Sequence, residues 1–171
     1  MRVGVGYDSH RFDDSRSLVL GGVSIPGSPG LSGHSDGDAV THAIIDALLG
    51  AGGLGNIGER FPDTDSEWKD ADSLVLLERT IRWVEERNYQ VVNVDVTVVA
   101  ERPRISPHAE AMSRVLSRYL HIAPDAVSIK GKSNEGLGWI GRSEGLAVTA
   151  VALLNQIGDI DALHASIRAG G

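Results

Sequence analysis

Three residues of the sequence have the chemistry and the spacing of a metal site. Asp8 and His10 follow an apolar segment that ends at Gly6, and His42 lies in a later segment with helical periodicity. Because residues i and i+2 of an extended chain share a face, the Asp8 carboxylate and the His10 imidazole can act on one ion. One carboxylate and two imidazoles with an open fourth position form a common type of catalytic zinc site. The alternative is structural, with Asp8 and His10 in a solvated turn and His42 on a helix surface.

The helix predicted around His42 carries two acidic residues near the same face, Asp38 and Asp46. Residues four apart are neighbours on a helix surface, so both carboxylates come close to the imidazole. Asp38 either caps the start of the helix or joins the site. Asp46 either faces solvent or orients His42 through a hydrogen bond to the ring.

Two loops could bind a phosphorylated, hydroxyl-bearing substrate. The first leads into the N-terminus of the same helix, where backbone N–H groups attract anions. The second begins with a proline and places carboxylates where they could accept from hydroxyl groups. A turn with an N-cap is the alternative for the first loop, and a solvated acidic loop is the alternative for the second. The candidate side chains are His34 and Ser35 in the first loop, and Asp63 and Asp65 in the second.

The segment KGKSNEGLGWIGRSEG, at 130–145, combines lysine, arginine and glycine with polar side chains. These features suit a phosphate, and Glu135 beside a phosphate could hold a hard cation such as magnesium. The segment is not a Walker A loop, because no GKS or GKT closes a GxxxxGK frame. Arg102 and Arg104 add positive charge near the end of the preceding strand. Alternatively, all of these charges lie on exposed turns.

Composition limits the classes of protein to consider. A chain of 171 residues fits one domain, and the absence of cysteine leaves only histidine and carboxylate as ligands for a transition metal. The net charge of −7 argues against a general nucleic-acid binder. We identify no membrane span and no signal peptide, and we therefore expect a cytoplasmic protein without a membrane partner.

The elements that must position these residues alternate between strands and helices. We expect helices packed on one face of a mixed sheet, in an α/β (α+β) arrangement. The loops predicted to lack regular structure are 26–35 and the polar segment 54–72, and the tail from about residue 156 is expected to hold at most a short helix at 159–169. The predicted strands are 2–8, 17–25, 91–103, 126–133 and 144–154, and the predicted helices are 36–53, 72–89 and 106–122.

Five motifs, in this order and spacing, resemble the 2-C-methyl-D-erythritol 2,4-cyclodiphosphate synthase family of the non-mevalonate isoprenoid pathway. The similarity covers residues 1–155 as a single domain and leaves 156–171 as a C-terminal extension without an assigned role. The motifs are DSH at 8–10, HSDGDAVTHAIIDALLGA at 34–51, IGERFPDTD at 57–65, NVDVTVVAERPRISPH at 93–108 and EGLGWIGRSEG at 135–145.

The resemblance implies a ferredoxin-like subunit assembled as a homotrimer, with active sites between neighbouring subunits. Asp8, His10 and His42 match zinc ligands, and Glu135 matches the ligand of a second divalent cation, magnesium or manganese. The implied catalytic residues are His34, Lys132 and Ser133. The implied substrate-binding residues are His34, Ser35, Asn56, Gly58, Asp63, Asp65, Ala100, Arg104, Ile105, Ser106, Gly131, Lys132, Ser133 and Asn134.

A further set of residues matches a segment that approaches the threefold axis in the family. Arg142 is expected to pair with Glu144, two residues on along a strand face. Tyr7 and Trp139 could wall an apolar chamber beneath this ring of charges. An isoprenoid diphosphate could bind there, with its phosphates on arginine. The alternative is that these residues only hold the trimer together.

The implied reaction converts 4-diphosphocytidyl-2-C-methyl-D-erythritol 2-phosphate into 2-C-methyl-D-erythritol 2,4-cyclodiphosphate and CMP. The 2-phosphate of the substrate attacks its own β-phosphorus, so the enzyme acts as a phosphorus–oxygen lyase. The residues alone also allow a zinc-dependent phosphoester or nucleotide hydrolase. A non-enzymatic trimeric protein that binds cytidine nucleotides is a third possibility.

Three positions depart from the family pattern. Asn56 stands where many members have an aspartate that bonds the ribose, although an amide can still accept one such bond. Lys132 and Asn134 stand in a segment usually rich in threonine. We therefore expect the phosphate contacts of this segment to differ from those of other members.

Overall fold

The computed structural model describes residues 1–33, 35–62, 64–68 and 71–158. In these residues the strands form one mixed sheet with the order β2-β1-β5-β3-β4. β5 is antiparallel to both β1 and β3, whereas β3 and β4 are parallel and are joined through helix α4. The strands are β1 (Arg2–Leu20), β2 (Val23–Leu31), β3 (Tyr89–Val99), β4 (Val127–Lys132) and β5 (Gly145–Gln156).

Helices cover one face of this sheet, as predicted. α1 packs on β1 and β5, and the side chains of alternate β5 residues from Leu146 to Leu154 are buried beneath the helices. None of the helices in the described ranges is long and apolar enough to cross a membrane. The helices are α1 (Ala39–Gly52), α2 (Ile57–Arg60), α3 (Ser73–Glu86), α4 (Ser106–Leu120) and α5 (Gly138–Gly141), with short 3₁₀ turns at Ser66–Trp68 and Pro124–Ala126.

The N-terminal hairpin differs from the sequence prediction. β1 runs without interruption through the polar residues expected to connect two strands, and the hairpin turn falls at Gly21 and Gly22, which both have positive φ. Most of the predicted loop 26–35 belongs to β2. Pro26 and Pro29 are tolerated there because β2 is an edge strand, where a missing N–H need not break a ladder.

Other predicted boundaries of strands and helices also differ from those observed. β3 ends at Val99 rather than at Pro103, although the Ala100 N–H still donates to the Lys132 carbonyl at 2.9 Å. The polar segment 54–72 contains α2 and a 3₁₀ turn, and α5 was not predicted. The helix predicted at 159–169 lies outside the described residues.

Two glycines of β1 let that strand touch the backbone of α1. A Cβ atom added at Gly4 would lie 2.0 Å from the Ala47 carbonyl oxygen, and one added at Gly6 would lie 2.0 Å from the Ala43 carbonyl oxygen. Real side chains do not fit at such distances. The contact therefore requires glycine, and it brings the first turns of α1 close to Asp8.

The Asp38 carboxylate joins the start of α1 to the hairpin turn. Its Oδ1 accepts from the N–H groups of Thr41 at 3.0 Å and Gly21 at 2.8 Å. Its Oδ2 accepts from the Gly22 N–H at 2.7 Å and the Thr41 hydroxyl at 2.8 Å. Asp38 is fully buried, so these four donors replace the water that it loses. Of the two roles considered for Asp38, the helix cap is the one observed.

Candidate active site

Asp8, His10 and His42 meet at one end of the sheet. Asp8 and His10 lie on the face of β1 that also carries Gly6, and α1 supplies His42 from its second turn. Asp8 Oδ2 is 2.8 Å from His10 Nε2 and 3.1 Å from His42 Nδ1. The three ligand atoms lie within 4.8 Å of one another, which confirms the predicted cluster. This donor set suits a divalent transition metal with one coordination position left open.

The orientation of the His10 ring is set by the backbone. His10 Nδ1 lies 2.6 Å from the Ser32 carbonyl oxygen, which has no proton to give. Nδ1 must therefore donate, and the lone pair of the neutral ring is on Nε2, the atom that faces Asp8. This is the tautomer that a metal ligand needs.

The protonation equilibria of the cluster favour a charged carboxylate. Burial alone would raise the pKa of Asp8, but hydrogen bonds and positive charge from His10 and His42 outweigh burial and hold this pKa well below its usual range. The hydrogen bond to Asp8 raises the pKa of His10, against the opposing effect of burial. A metal that binds here must displace the proton that His10 shares with Asp8, so metal binding at this cluster is coupled to proton release.

The Arg16 side chain holds the loop before α1 through two hydrogen bonds to backbone carbonyls. This side chain donates from Nη1 to the Gly33 carbonyl at 2.7 Å and from Nη2 to the Ser35 carbonyl. The Ser35 hydroxyl lies 3.0 Å from His42 Nε2, so this predicted binding residue is next to the cluster. His34 and Asp63, predicted for catalysis and binding, lie outside the described residues.

A separate cavity of about 320 Å³ lies where β3 and β4 end. Gly131 permits this arrangement, because a Cβ there would lie 2.9 Å from Ile105 Cβ. The structure therefore brings together residues from two distant segments that the resemblance assigned to one binding site. The predicted residues that line the cavity are Ala100, Arg104, Ile105, Ser106, Gly131, Lys132 and Ser133.

The cavity and the metal-binding cluster lie at the same end of the sheet but are separate within one chain. Asp8 pairs with Val148, which pairs with Val98, which in turn pairs with Gly131. Three strand spacings correspond to roughly 14 Å across the sheet. None of the three metal-binding residues lines the cavity.

Comparison with known proteins identifies the relationship. The family model described as the YgbB family matches residues 1–155. The chain belongs to the YgbB family. It is 54% identical over 157 residues to the 2-C-methyl-D-erythritol 2,4-cyclodiphosphate synthase of Dechloromonas aromatica, covering 92% of this chain and 98% of that one. The protein of the same name from Gemmatimonas aurantiaca is 52% identical over 158 residues, covering 92% and 95%.

Solved structures agree with this membership. The bifunctional IspDF from Campylobacter jejuni superposes with a TM-score of 0.88 at 39% identity, covering 91% of this chain and 42% of that chain. A 2C-methyl-D-erythritol-2,4-cyclodiphosphate synthase in a CDP-bound form gives a TM-score of 0.83 at 40% identity, covering 90% and 100%. The resemblance inferred from the five motifs is confirmed.

In this member of the YgbB family, several predicted binding residues make local hydrogen bonds. Asn56 caps α2, accepting from the Glu59 N–H at 3.0 Å and donating to its carboxylate at 2.7 Å. Asp65 Oδ1 accepts from the Glu67 N–H at 3.0 Å. Asn134 donates to the Leu137 carbonyl at 2.7 Å. Their roles in binding, like that of Gly58 within α2, stay predictions.

Asp46 does neither of the things considered for it. Its Oδ1 accepts from the Ile57 N–H at 3.1 Å, which ties α2 to α1. The groups that hydrogen-bond to the far side of the His42 ring are instead Ser35 and Ser73, and sequence reasoning missed Ser73. The sequence places Ser73 at the start of a helix, but no local pattern shows that this helix start faces His42.

Glu101 is a second residue that the sequence analysis missed. Its Oε1 accepts from the N–H groups of Asn134 and Gly136, both at 3.0 Å, and so fixes the loop that carries Glu135. Glu135 itself has a positive φ of 51° and accepts from the Ser133 hydroxyl at 2.5 Å. The predicted cation ligand is thus held by the loop that borders the cavity.

The predicted Arg142–Glu144 pair is present, but not for the reason given. Arg142 Nε donates to Glu144 Oε1 at 2.7 Å. The two residues follow the short helix α5 and precede β5, so they do not share a strand face. The turn at Ser143, with φ of 57°, brings the side chains together instead. Tyr7 and Trp139 are exposed, as an axial chamber would require.

Proposed function

We propose that this protein converts 4-diphosphocytidyl-2-C-methyl-D-erythritol 2-phosphate into 2-C-methyl-D-erythritol 2,4-cyclodiphosphate and CMP. The observation that carries the proposal is the convergence of Asp8, His10 and His42 in a chain whose close relatives bear the name of this synthase. An oxygen of the 2-phosphate forms a bond to the β-phosphorus. The bond from the β-phosphorus to the bridging oxygen breaks, and CMP leaves with that oxygen.

The chemistry of the reaction explains what the protein must supply. The nucleophile belongs to the substrate, so the task is to hold two anionic phosphates in line. Zinc at the Asp8 cluster and magnesium or manganese at Glu135 would, when bound, neutralise charge on the phosphate oxygens. Arg104 and Lys132 bring positive charge to the cavity, and Ser133, whose hydroxyl donates to Glu135, lines it as well.

Product analysis tests this proposal. The purified protein, incubated with the diphosphocytidyl substrate, is expected to give the cyclic diphosphate and CMP by phosphorus NMR. The rival reading is a zinc-dependent hydrolase, which would incorporate oxygen from labelled water and leave no ring. Labelled water oxygen in the phosphate product would therefore reject the cyclisation. Binding of CMP without any turnover would instead support the non-enzymatic alternative.

We also propose that the ferredoxin-like subunit assembles as a homotrimer through the uncovered face of its sheet. Val3, Val5 and Tyr7 on this face are 66%, 64% and 58% exposed, although β1 lies inside the sheet rather than at its edge. An apolar surface of this kind usually marks an interface. Assembly would also place the cavity of one subunit near the metal-binding cluster of the next, which the separation within one chain requires.

If the protein assembles through this face, a charged side chain introduced there should prevent assembly. We expect Val5→Lys to sediment as a single chain, because assembly would bury three ammonium groups in an apolar interface. The matched control is Val75→Lys, at a residue of α3 that is 52% exposed but lies away from the sheet face. This control should sediment as three chains, as should the unmodified protein. A single-chain mass for the unmodified protein would contradict the proposal.

Glu135→Gln is expected to affect the second cation without affecting zinc. The variant should keep zinc, because Glu135 is not part of the Asp8 cluster. It should lose the response of its rate to added magnesium, since a neutral amide binds a hard cation more weakly than a carboxylate does. Elemental analysis and rates measured across a magnesium titration check both statements. Loss of zinc from this variant would show that Glu135 contributes to zinc binding, contrary to this prediction.

The axial residues support a second ligand, an isoprenoid diphosphate, in the assembled trimer. Arg142 uses Nε for Glu144, which leaves both terminal nitrogens of the guanidinium for phosphate oxygens. Calorimetry with farnesyl diphosphate is expected to show binding to the unmodified protein and much weaker binding to Arg142→Met. Equal affinity of the two proteins, or no binding to either, would leave these residues with a purely structural role.

A further inference from the structure

The side of the His42 ring that faces away from Asp8 meets a buried hydroxyl group. Ser73 Oγ lies 2.8 Å from His42 Nε2, and Ser73, the first residue of α3, is fully buried. The Ser35 hydroxyl, which comes from the loop before α1, also approaches Nε2, at 3.0 Å. Two hydroxyl groups on one nitrogen raise the question of which atom carries the proton.

The Asp36 carboxylate determines where the hydroxyl proton of Ser73 points. The Asp36 carboxylate accepts from the Ser73 N–H at 3.0 Å, from the Asp38 N–H at 3.1 Å and from the Ser73 hydroxyl. A serine hydroxyl has one proton, and an ionised carboxylate can only accept. The Ser73 proton is therefore used on Asp36, and the oxygen of Ser73 can only accept from His42.

This direction of donation fixes the tautomer of the ring. If Ser73 Oγ accepts, Nε2 of His42 must carry hydrogen. The Asp8 carboxylate can accept a proton from Nδ1 while the site holds no metal, but a metal that displaces this proton finds the lone pair of the neutral ring on Nδ1. Nδ1 is the atom 3.1 Å from Asp8 Oδ2, on the side where a metal would be held. With the opposite direction, Nδ1 would carry hydrogen and could not bind a metal.

We propose that Asp36 and Ser73 are positioning residues that hold His42 as the Nε2–H tautomer and thereby set the metal affinity of the cluster. This inference rests on the metal centre of the proposed function, but not on the reaction. It also assigns a role to the connection between α1 and α3, because Ser73 begins one helix and His42 lies near the start of the other. Hydrogen-bond partners of this kind typically contribute 10- to 100-fold to metal affinity.

The first test measures zinc affinity by competition with a chelator, without substrate. We expect Ser73→Ala to bind zinc about 10- to 100-fold more weakly than the unmodified protein. The matched control is Thr80→Val, which removes another buried hydroxyl of α3, one that donates to the Leu76 carbonyl at 2.9 Å and does not contact His42. This control should keep the affinity of the unmodified protein even if it unfolds at a lower temperature.

The second test reads the tautomer itself, and it applies even if Ser73→Ala fails to fold. Long-range ¹H–¹⁵N spectra of zinc-free Asp8→Ala at alkaline pH should show His42 with hydrogen on Nε2, because this background removes the carboxylate that can accept from Nδ1. Asp36→Asn should shift the ring toward Nδ1–H, because an amide NH₂ facing Ser73 Oγ frees the hydroxyl proton for Nε2. A merely structural role of Asp36 would leave the tautomer unchanged.

The outcomes separate this inference from the function on which it rests. Zinc affinity of Ser73→Ala within twofold of the unmodified protein would overturn it, as would an Nδ1–H ring in zinc-free Asp8→Ala. If the unmodified protein binds zinc but makes no cyclic product, the positioning role stands and the proposed reaction fails. If it binds no zinc at all, the metal centre fails, and the positioning role of Asp36 and Ser73 fails with it.

Discussion

The His42→Ala variant is expected to purify without stoichiometric zinc and to lose nearly all turnover while keeping its assembly. Within the described residues, His42 is one of three side chains that form the proposed metal site, and we expect the substrate to need the fourth position. Loss of a direct ligand should cost more than the 10- to 100-fold effect of an outer hydrogen-bond partner, so we expect a decrease in rate of at least about 100-fold. Elemental analysis and the rate of CMP release measure the two effects.

The control for this variant is His121→Ala. His121 is an exposed histidine whose Nδ1 lies 3.1 Å from Glu85, away from the cluster. It should retain both zinc and activity. Stoichiometric zinc in purified His42→Ala would show that His42 is not a ligand.

Gly6→Ala is expected to destabilise the protein by about 3 kcal/mol or more, a cost at the upper end of those seen for overpacking. The new Cβ would lie 2.0 Å from the Ala43 carbonyl oxygen and 2.6 Å from the Ala47 nitrogen, and neither backbone atom can move without moving α1. A displaced α1 also separates His42 from Asp8. We therefore expect weaker zinc binding together with a lower midpoint of denaturant unfolding.

Gly50→Ala is the matched control, because it makes the same change within α1 itself. A Cβ at Gly50 meets no atom within 4 Å. Alanine is favoured over glycine in a helix interior by about 0.5–1 kcal/mol, so this variant should be slightly more stable and should bind zinc normally. Unchanged stability of Gly6→Ala would mean that β1 and α1 are not in the close contact described above.

The metal-binding cluster could be predicted because its signals are local. The period of two in a strand places Asp8 beside His10, and helical periodicity places His42 on a helix. No local sequence pattern indicates that this helix packs against this strand near Asp8. The glycines of VGVG carry that information, since alternating glycines on one strand face indicate that another backbone approaches closely.

The errors have physical reasons of the same kind. The β1–β2 hairpin was divided wrongly because the polar residues in the middle of β1 are exposed or only partly buried, and because prolines are acceptable in the edge strand β2. α2 and α5 are four residues each, too short to show a periodic pattern. The partner of Asp46 could not be predicted, because its bond to the Ile57 N–H depends on how the chain returns after α1.

The buried Asp38 carboxylate has a consequence for how the protein opens. The hairpin turn and the first turn of α1 cannot part without depriving the buried Asp38 carboxyl group of its hydrogen-bond donors, which is costly. The amides of Gly21, Gly22 and Thr41 should therefore exchange with deuterium in one concerted event rather than by separate fraying. His42 directly follows Thr41, so the metal-binding cluster belongs to the same cooperative unit and should be among the last parts of the molecule to loosen on heating.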